Sequence, residues 1–380
     1  MSELIQKSDS RGEIRWKLLA GVSALALAAH MASTTQARAE DADRPTVWIE
    51  LGGQWSTLQD RVEPFNPALM ADRPAKFEPS QKFEKPARHG FDEFGAISLQ
   101  PDGSNWVVSA AVQYGRASTK NYNMEQTNPD FKYVSPAPRL GQPIAQQFAE
   151  TTAKTSEQHL VVDFMAGKDV GLGLFGNDST SVVSAGIRFA QFLSRSNIAL
   201  KSDPDWHINS EYFSYFHTYI SFGQYFHSHL ASLKAERSFT GVGPSVSWKS
   251  SQRLWGDSRD ASLMLDWGVN GAILFGRQKS HTHHQSTGKS FYHIGPFLTG
   301  PAAPHTTAQL PATPDHTRSR SVAIPNIGGF AGLSFKYPNA KVSLGYRADF
   351  FFGAVDGGID ARKTYDRSFY GPYATVSIGL

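Results

Sequence analysis

Polar side chains recur at every second position inside several apolar stretches of this 380-residue chain. In one stretch, Asp163 stands between Val162 and Phe164. Period-two alternation of this kind turns the polar residues to one face of a β-strand and the apolar residues to the other. The residues on the polar face are Glu50, Gln54, Gln113, Asp163, Arg188, Asp266, Asn270, Lys336, Arg347 and Asp349.

Charges on the wall of a water-filled interior set which ions pass through it. The candidate pore-lining residues are Glu50, Gln113, Asp163, Arg188, Asp266, Arg347 and Asp349. We expect Arg347 and Asp349 to face Arg188 or Asp163 from other strands. The alternative is that these groups pair across a narrow interior and hold it shut. The sequence leaves both interpretations open.

Histidines cluster between residues 278 and 321, which we interpret as an external loop. They are His281, His283, His284, His293, His305 and His316. Imidazole is a common zinc and copper ligand. The chain has no cysteine, however, and the neighbours of these histidines are Thr, Gln and Ser. We therefore attribute the histidines to loop composition and predict no metal site and no cofactor.

A hydrolase with an active site at the rim is a further alternative. Asp205, His207 and Glu211 lie together in one predicted loop, and Asp356 and Asp360 in another. General acid–base chemistry requires such groups within hydrogen-bond reach, which spacing alone does not establish. No nucleophile elbow, H-E-x-x-H motif or P-loop is present. The sequence therefore predicts no catalytic residue and a protein that is not an enzyme.

The alternating stretches predict ten strands and an all-β fold. Their ranges are 46–58, 91–100, 105–118, 157–170, 180–193, 237–249, 261–277, 322–337, 341–352 and 368–380. Since a barrel must pair its last strand with its first to remove the sheet edge, we expect 368–380 to pair antiparallel with 46–58. Val376, Ile378 and Leu380 would then face lipid.

The connectors between these strands alternate strictly between short and long. This rhythm is typical of a closed antiparallel transmembrane β-barrel with short periplasmic turns and long external loops. The long connectors are 59–90, 119–156, 194–236, 278–321 and 353–367. The segment 211–233 is aromatic on both faces and is interpreted either as a loop helix or as an extra hairpin, which would raise the strand count to twelve.

The N-terminal segment predicts export. Basic residues precede an apolar run at 18–29, and a small-residue site at 37–39 follows, which is the layout of a cleaved signal peptide. We assign 1–39 to this leader and 40–380 to the barrel. The leader carries five basic and three acidic residues, so it holds +2 of the formal net charge of +3. The rest is close to neutral, which argues against a nucleic-acid partner.

Glycine and aromatic motifs in the second half carry a family resemblance. The segment 238–244 has the sequence SFTGVGP, and 271–276, 344–347 and 368–372 follow it in order as GAILFG, LGYR and SFYGP. Over residues 238–380 the chain resembles the Legionella-type, pore-forming major outer membrane proteins. The resemblance implies an outer-membrane β-barrel that forms a pore and carries no cofactor.

These observations favour a porin-like channel for passive diffusion of small hydrophilic solutes or ions, in the outer membrane of a Gram-negative bacterium. The alternatives are a closed barrel with structural or adhesin-like surface loops, and the rim hydrolase. The expected partners are outer-membrane lipid, the barrel-insertion machinery and the solutes themselves. The oligomeric state stays open, a homo-oligomer included.

Overall fold

The structure, a computed structural model, describes residues 47–60, 62–63, 65, 89–101, 104–118, 122–127, 148–170, 179–213, 218–256, 261–294, 306–309 and 315–380. The predicted leader and His305 lie outside these ranges. The strands are β1 (Val47–Asp60), β2 (His89–Leu99), β3 (Trp106–Ser118), β4 (Tyr122–Thr127), β5 (Phe148–Asp169), β6 (Ser179–Phe213), β7 (Thr218–Gly256), β8 (Ser262–Ile294), β9 (Thr306–Gln309), β10 (His316–Lys336), β11 (Ala340–Asp356) and β12 (Thr364–Gly379). Among the described residues, no helix is long and apolar enough to cross a membrane.

Ten of these strands close into an antiparallel barrel, and we call these ten strands the staves. Each pairs with its neighbour in chain order, β8 pairs with β10, and β12 returns to pair with β1. In that closing pair Leu51 lies opposite Val376, and Ile49 lies opposite Ile378. The short strands β4 and β9 pair only with β5 and β8 and are not staves of the barrel. The predicted ten-stranded barrel and its closing pair are therefore confirmed.

The strands on one side of the barrel are much longer than predicted. β6, β7 and β8 contain 35, 39 and 33 residues, so most of the predicted connectors 194–236 and 278–321 is paired strand. Within the predicted segment 211–233, residues 211–213 belong to β6 and residues 218–233 to β7, and they add no strand to the barrel. β5 likewise begins at Phe148, inside the predicted connector 119–156. Alternation did not mark these extensions because both faces of a strand carry polar residues once the outer face leaves an apolar medium.

We call the end of the barrel where β1 begins and β12 ends the turn end, and the opposite end the loop end. The outward face carries a continuous apolar band near the turn end. Each stave contributes at least one exposed large apolar side chain; examples in order around the barrel are Leu51, Phe91, Val108, Phe164, Ile187, Val246, Phe275, Leu333, Leu344 and Val376. Leu51 and Leu344 are 64% and 62% exposed.

The band has the height of a membrane core. On β11 the outward apolar residues run from Val342 to Phe352. That span corresponds to about 25 Å along the barrel axis for a strand tilted by about 40°. Arg277, the next outward residue after Phe275 on β8, marks its upper edge on that strand.

Candidate functional site

The inward faces of the strands enclose a polar cavity of about 290 Å³ in the half of the lumen nearest the turn end. Side chains alternate between the two faces of each strand, so the apolar residues face outward and the polar residues between them face the lumen. All seven predicted site residues line this cavity: Glu50, Gln113, Asp163, Arg188, Asp266, Arg347 and Asp349. Their role in a pore stays a prediction.

Arg188 is the centre of the cavity's hydrogen-bond network. Its Nε and Nη2 donate to the two carboxylate oxygens of Asp163 at 2.7 and 2.9 Å. The two residues lie directly opposite each other on β5 and β6. Nη1 donates to Asn270 Oδ1 at 2.7 Å and to Asn326 Oδ1. The guanidinium thus joins four strands across the lumen, and bidentate geometry makes this pair directional.

A second ion pair lies nearer the turn end, where Lys341 Nζ is 2.6 Å from Asp266 Oδ2. Sequence inspection missed Lys341, although it stands at the first inward position of β11. It also missed Lys249, which lines the same cavity from β7. Lys249 could have been found from its place at the end of a predicted strand.

Arg347 has an aromatic environment. Its guanidinium carbon lies 4.6 Å from the ring centroid of Phe94, 5.7 Å from that of Phe330 and 5.5 Å from that of Tyr373. Contacts of this kind are cation–π interactions, and they hold the cation on the wall without neutralising it. Gln54 Nε2 also donates to the Arg347 carbonyl oxygen at 3.2 Å.

Asp92 forms a separate network further from the turn end. It accepts a hydrogen bond from Ser56 Oγ at 2.7 Å and one from Gln113 Nε2 at 3.1 Å, and it lies 3.2 Å from His159 Nε2. Asp92 and His159 are both buried. The hydroxyl of Ser56 is bonded to the carboxylate and not to the imidazole. The geometry therefore supports a structural link between β1, β2, β3 and β5.

An apolar layer fills the lumen beyond this cavity. Its members are Leu58, Ala117, Ala190, Phe192, Phe239, Ala272, Leu274, Ile324, Phe351, Ala354, Val355 and Phe369, none of which is more than 8% exposed. The ring of Phe192 lies at the centre, with centroids 4.7 Å from Phe351 and 5.7 Å from Phe369. Side chains this well buried leave no water-filled passage at their level.

The end of β11 and the connector between β11 and β12 fold into the lumen and contribute to this closure. We call residues 353–363 the plug loop. Gly353 has a φ of +67°, a left-handed conformation that favours glycine, and the pairing of β11 with β12 shifts register there. The chain then turns inward, so that Ala354 and Val355 are both buried in the apolar layer.

Further along the plug loop, Ile359 reaches the opposite wall. It packs in a second apolar cluster with Phe65, Ala153, Ile198, Leu200, Ala231, Leu233 and Ala235, which come from β5, β6, β7 and the residues after β1. Thr282 Oγ1 donates to the Ile359 carbonyl oxygen at 3.0 Å. The plug loop therefore spans the barrel from β11 to the far wall.

Arg318 on β10 makes the densest set of contacts to the plug loop. Its Nε donates to Asp356 Oδ2 at 2.9 Å. Its Nη atoms donate to the carbonyl oxygens of Gly358 at 2.7 Å, Ile359 at 2.8 Å and Asp360 at 3.2 Å. One half-buried cation thus satisfies four acceptors at the end of β11 and in the connector that follows it.

Glu63 binds the plug loop from the other side. One carboxylate oxygen accepts a hydrogen bond from the Ile359 N–H at 2.8 Å, and the other pairs with Lys363 Nζ. Partial burial raises the pKa of Glu63, but the hydrogen bonds from Lys363 and Ile359 outweigh it, and the net pKa lies below its ordinary value of 4.5. The pairing with Glu63 raises the pKa of Lys363.

Four of the histidines in the predicted loop 278–321 lie on strands. His281, His283, His284 and His316 lie on the strands β8 and β10 and not in a loop. His283 Nδ1 contacts Asp315 at 2.7 Å, and His284 Nε2 contacts Asp360 at 2.6 Å. Within the described ranges, no group of three or more His, Cys, Asp or Glu side chains is placed to hold a metal ion.

The rim residues considered for hydrolysis are spread over two different parts of the fold. Asp205 and His207 lie on the extended part of β6, opposite His227 and Tyr225 on β7. Asp356 is buried against Arg318. The predicted loop that contains Asp356 is the plug loop, so this carboxylate holds structure in the lumen and does not stand free at the rim.

No family model and no curated protein sequence matches the chain. Among solved structures, the chain is similar to the transport unit of the autotransporter AIDA-I from Escherichia coli, with 8% identity, a TM-score of 0.25, and coverage of 92% of this chain and 94% of that chain. It is also similar to the Pseudomonas putida toluene transporter TodX, with 10% identity, a TM-score of 0.15, and coverage of 89% of each chain. Likenesses at these TM-scores carry no argument about this chain, and its fold is established by its own strand pairing.

Proposed function

We propose that the chain is an outer-membrane barrel that acts as a porin-like channel for small hydrophilic solutes or ions, closed by its apolar layer and plug loop in the conformation described. The observation that carries the proposal is the charged cavity at the level of the apolar band. A barrel with a purely structural role would be expected to fill this space with side chains. Here a cavity stays open behind the apolar layer and the plug loop.

The cavity's charges favour neither sign strongly. Glu50, Asp163, Asp266 and Asp349 face Arg188, Lys249, Lys341 and Arg347 across it. A lumen with balanced charge selects weakly among small ions. The turn end would face the periplasm and the loop end the exterior, as is general for barrels of this topology.

Conductance across a planar bilayer tests the channel. The protein without residues 1–39, reconstituted in the bilayer, should give brief discrete openings, because the apolar layer and the plug loop keep the closed state dominant. Weak ion selectivity is expected from the balanced wall, and the reversal potential in a salt gradient measures it. Complete silence at every voltage would refute the channel.

Two lysine substitutions on β6 test whether the apolar band lies in a membrane. Ile187→Lys puts a charge on the outward face in the middle of the apolar band and should cost about 2–4 kcal/mol of unfolding free energy in lipid vesicles. The matched control is Ala199→Lys, on the same face of the same strand but beyond the band, and it should change stability by less than about 0.5 kcal/mol. Equal losses of unfolding free energy at both sites would show that the apolar band does not lie in a membrane.

The second candidate is a closed barrel with a structural or surface-interaction role. The tall wall formed by β6, β7 and β8 favours it, since these strands continue far beyond the band.

Membership of the Legionella-type family is part of the main proposal. Packing requires the second glycine of the SFTGVGP motif, because a methyl group on Gly243 would lie 1.8 Å from the Ile273 carbonyl oxygen.

A further inference from the structure

Basic side chains occupy the outward face of the barrel just beyond the apolar band, on the side formed by β5, β6 and β8. Lys154, Arg195 and Arg277 lie 15, 16 and 15 residues along their strands from the turn-end residues Asp169, Ser179 and Ser262. They therefore stand at a common height. Lys279 is the next outward residue after Arg277, and Lys234 on β7 lies higher. We call these five cations the basic patch.

The height of the basic patch matches that of lipid headgroups. Phe189 and Phe275, outward apolar residues near the upper edge of the band, lie six and two residues below Arg195 and Arg277 on the same strands. A ligand seated on the patch would therefore place any attached hydrocarbon against the apolar band. Headgroup level is where basic side chains meet anionic lipid groups.

Two carboxylates lie in the same region, and both already have cationic or imidazole partners. Glu236 pairs with Arg195 at 2.9 Å, and Asp315 contacts His283 at 2.7 Å. In the described part of the chain, Lys154, Lys234 and Lys279 form no ion pair with a carboxylate. The patch therefore presents a net positive surface.

Part of the patch is concave. Arg195 and Lys234 line a groove across the paired strands, together with Asn197, Glu236, His281, His283 and Asp315. Arg277 and Lys279 are about 7 Å apart on one face of β8, and Arg195 lies two strands away on β6. This spacing allows Arg277 and Lys279 to contact one phosphate group while Arg195 contacts a neighbouring one.

We propose that the basic patch binds the phosphate groups of a phosphorylated glycolipid in the outer leaflet of the membrane. Charge complementarity and the apolar band directly below select a molecule with phosphates and acyl chains together. A soluble anion has no acyl chains and would therefore make no contact with the apolar band. The inference rests on the outer-membrane location in the proposed function, though not on channel activity.

Binding of diphosphorylated lipid A to the full-length protein in nonionic detergent tests the proposal, with lipid A lacking its phosphates as the comparison. The wild type should bind the phosphorylated form at least about tenfold more tightly. Arg277→Gln combined with Lys279→Gln should weaken that binding about 30-fold, since each cation near an anionic surface contributes a factor of about five. Raising the ionic strength should weaken it further.

The matched control is Arg116→Gln combined with Lys168→Gln, which removes two exposed cations that lie outside the patch. It should leave binding within about twofold of the wild type. Equal affinity for both lipids, or an equal loss in the control, would overturn the proposal. Insertion of the wild type into phosphatidylcholine vesicles is measured separately. If insertion fails, the membrane location is wrong, whereas insertion without preference for phosphate refutes only the lipid site.

Discussion

Replacing Arg318 with leucine should raise the open probability of the reconstituted protein about 100-fold. The guanidinium donates hydrogen bonds to Asp356 and to the carbonyl oxygens of Gly358 and Ile359. Each hydrogen bond to a charged group contributes about 1.5–3 kcal/mol, and they are not fully additive. A combined loss of about 3 kcal/mol from the closed state corresponds to the 100-fold shift. Single-channel recording measures it.

The chain offers a close control in Arg320, which lies two residues further along β10, is exposed, and makes no ion pair in the described part of the structure. Arg320→Leu should leave open probability within about twofold of the wild type. A variant in which residues 354–363 are replaced by a short Gly-Ser linker loses Ala354 and Val355 from the apolar layer and should conduct more than the wild type. Silence of that variant would show that the plug loop does not control the lumen, and the closed-barrel candidate would then be preferred.

Replacing Arg188 with methionine should lower the free energy of unfolding by about 3–5 kcal/mol. The loss leaves Asp163 without its bidentate partner and removes the donor to Asn270. Breaking a buried ion pair from one side is costly because a charge stays in a poorly solvated place. Urea unfolding of the protein in lipid vesicles, followed by tryptophan fluorescence, measures the change.

Arg195 on the same strand provides the comparison. It also pairs with a carboxylate on a neighbouring strand, but the Arg195 and Glu236 side chains are 40% and 50% exposed. Arg195→Met should therefore cost about 0–1 kcal/mol. Restoration of much of the lost stability by Arg188→Met with Asp163→Leu would identify the uncompensated charge as the cause. Equal losses for Arg188→Met and Arg195→Met would mean that the Arg188–Asp163 pair contributes no more to stability than an exposed ion pair.

The staves of the barrel could be predicted from sequence because alternation is a local signal wherever one face meets an apolar medium. The run from Val342 to Phe352 on β11 is such a case. The seven predicted lumen residues were found in the same way, because they occupy the positions between outward apolar residues. The extended parts of β6 and β7 could not be predicted in this way. Beyond the band, polar residues occupy the outward face, and strand pairing there depends on the partner rather than on pattern.

The plug loop was the largest difference from expectation. Residues 353–367 have the composition of an exposed loop, and the burial of Val355 and Ile359 arises from residues far away in the chain, such as Phe192 and Leu233. No local periodicity reports contacts of this kind. Gly353 was the one available signal, since a glycine that ends an alternating run often marks a left-handed turn.

The closing pair of β1 and β12 also constrains how the chain can fold. Leu51 and Val376, which lie opposite each other, are separated by 325 positions, whereas the β6–β7 and β7–β8 hairpins form between segments that are near in sequence. The entropic cost of loop closure rises with separation, so the hairpins should form early and the closing pair last. Until that pair forms, two long strand edges are open to pairing with other chains. The rate of refolding should therefore depend on protein concentration through competition at these two edges.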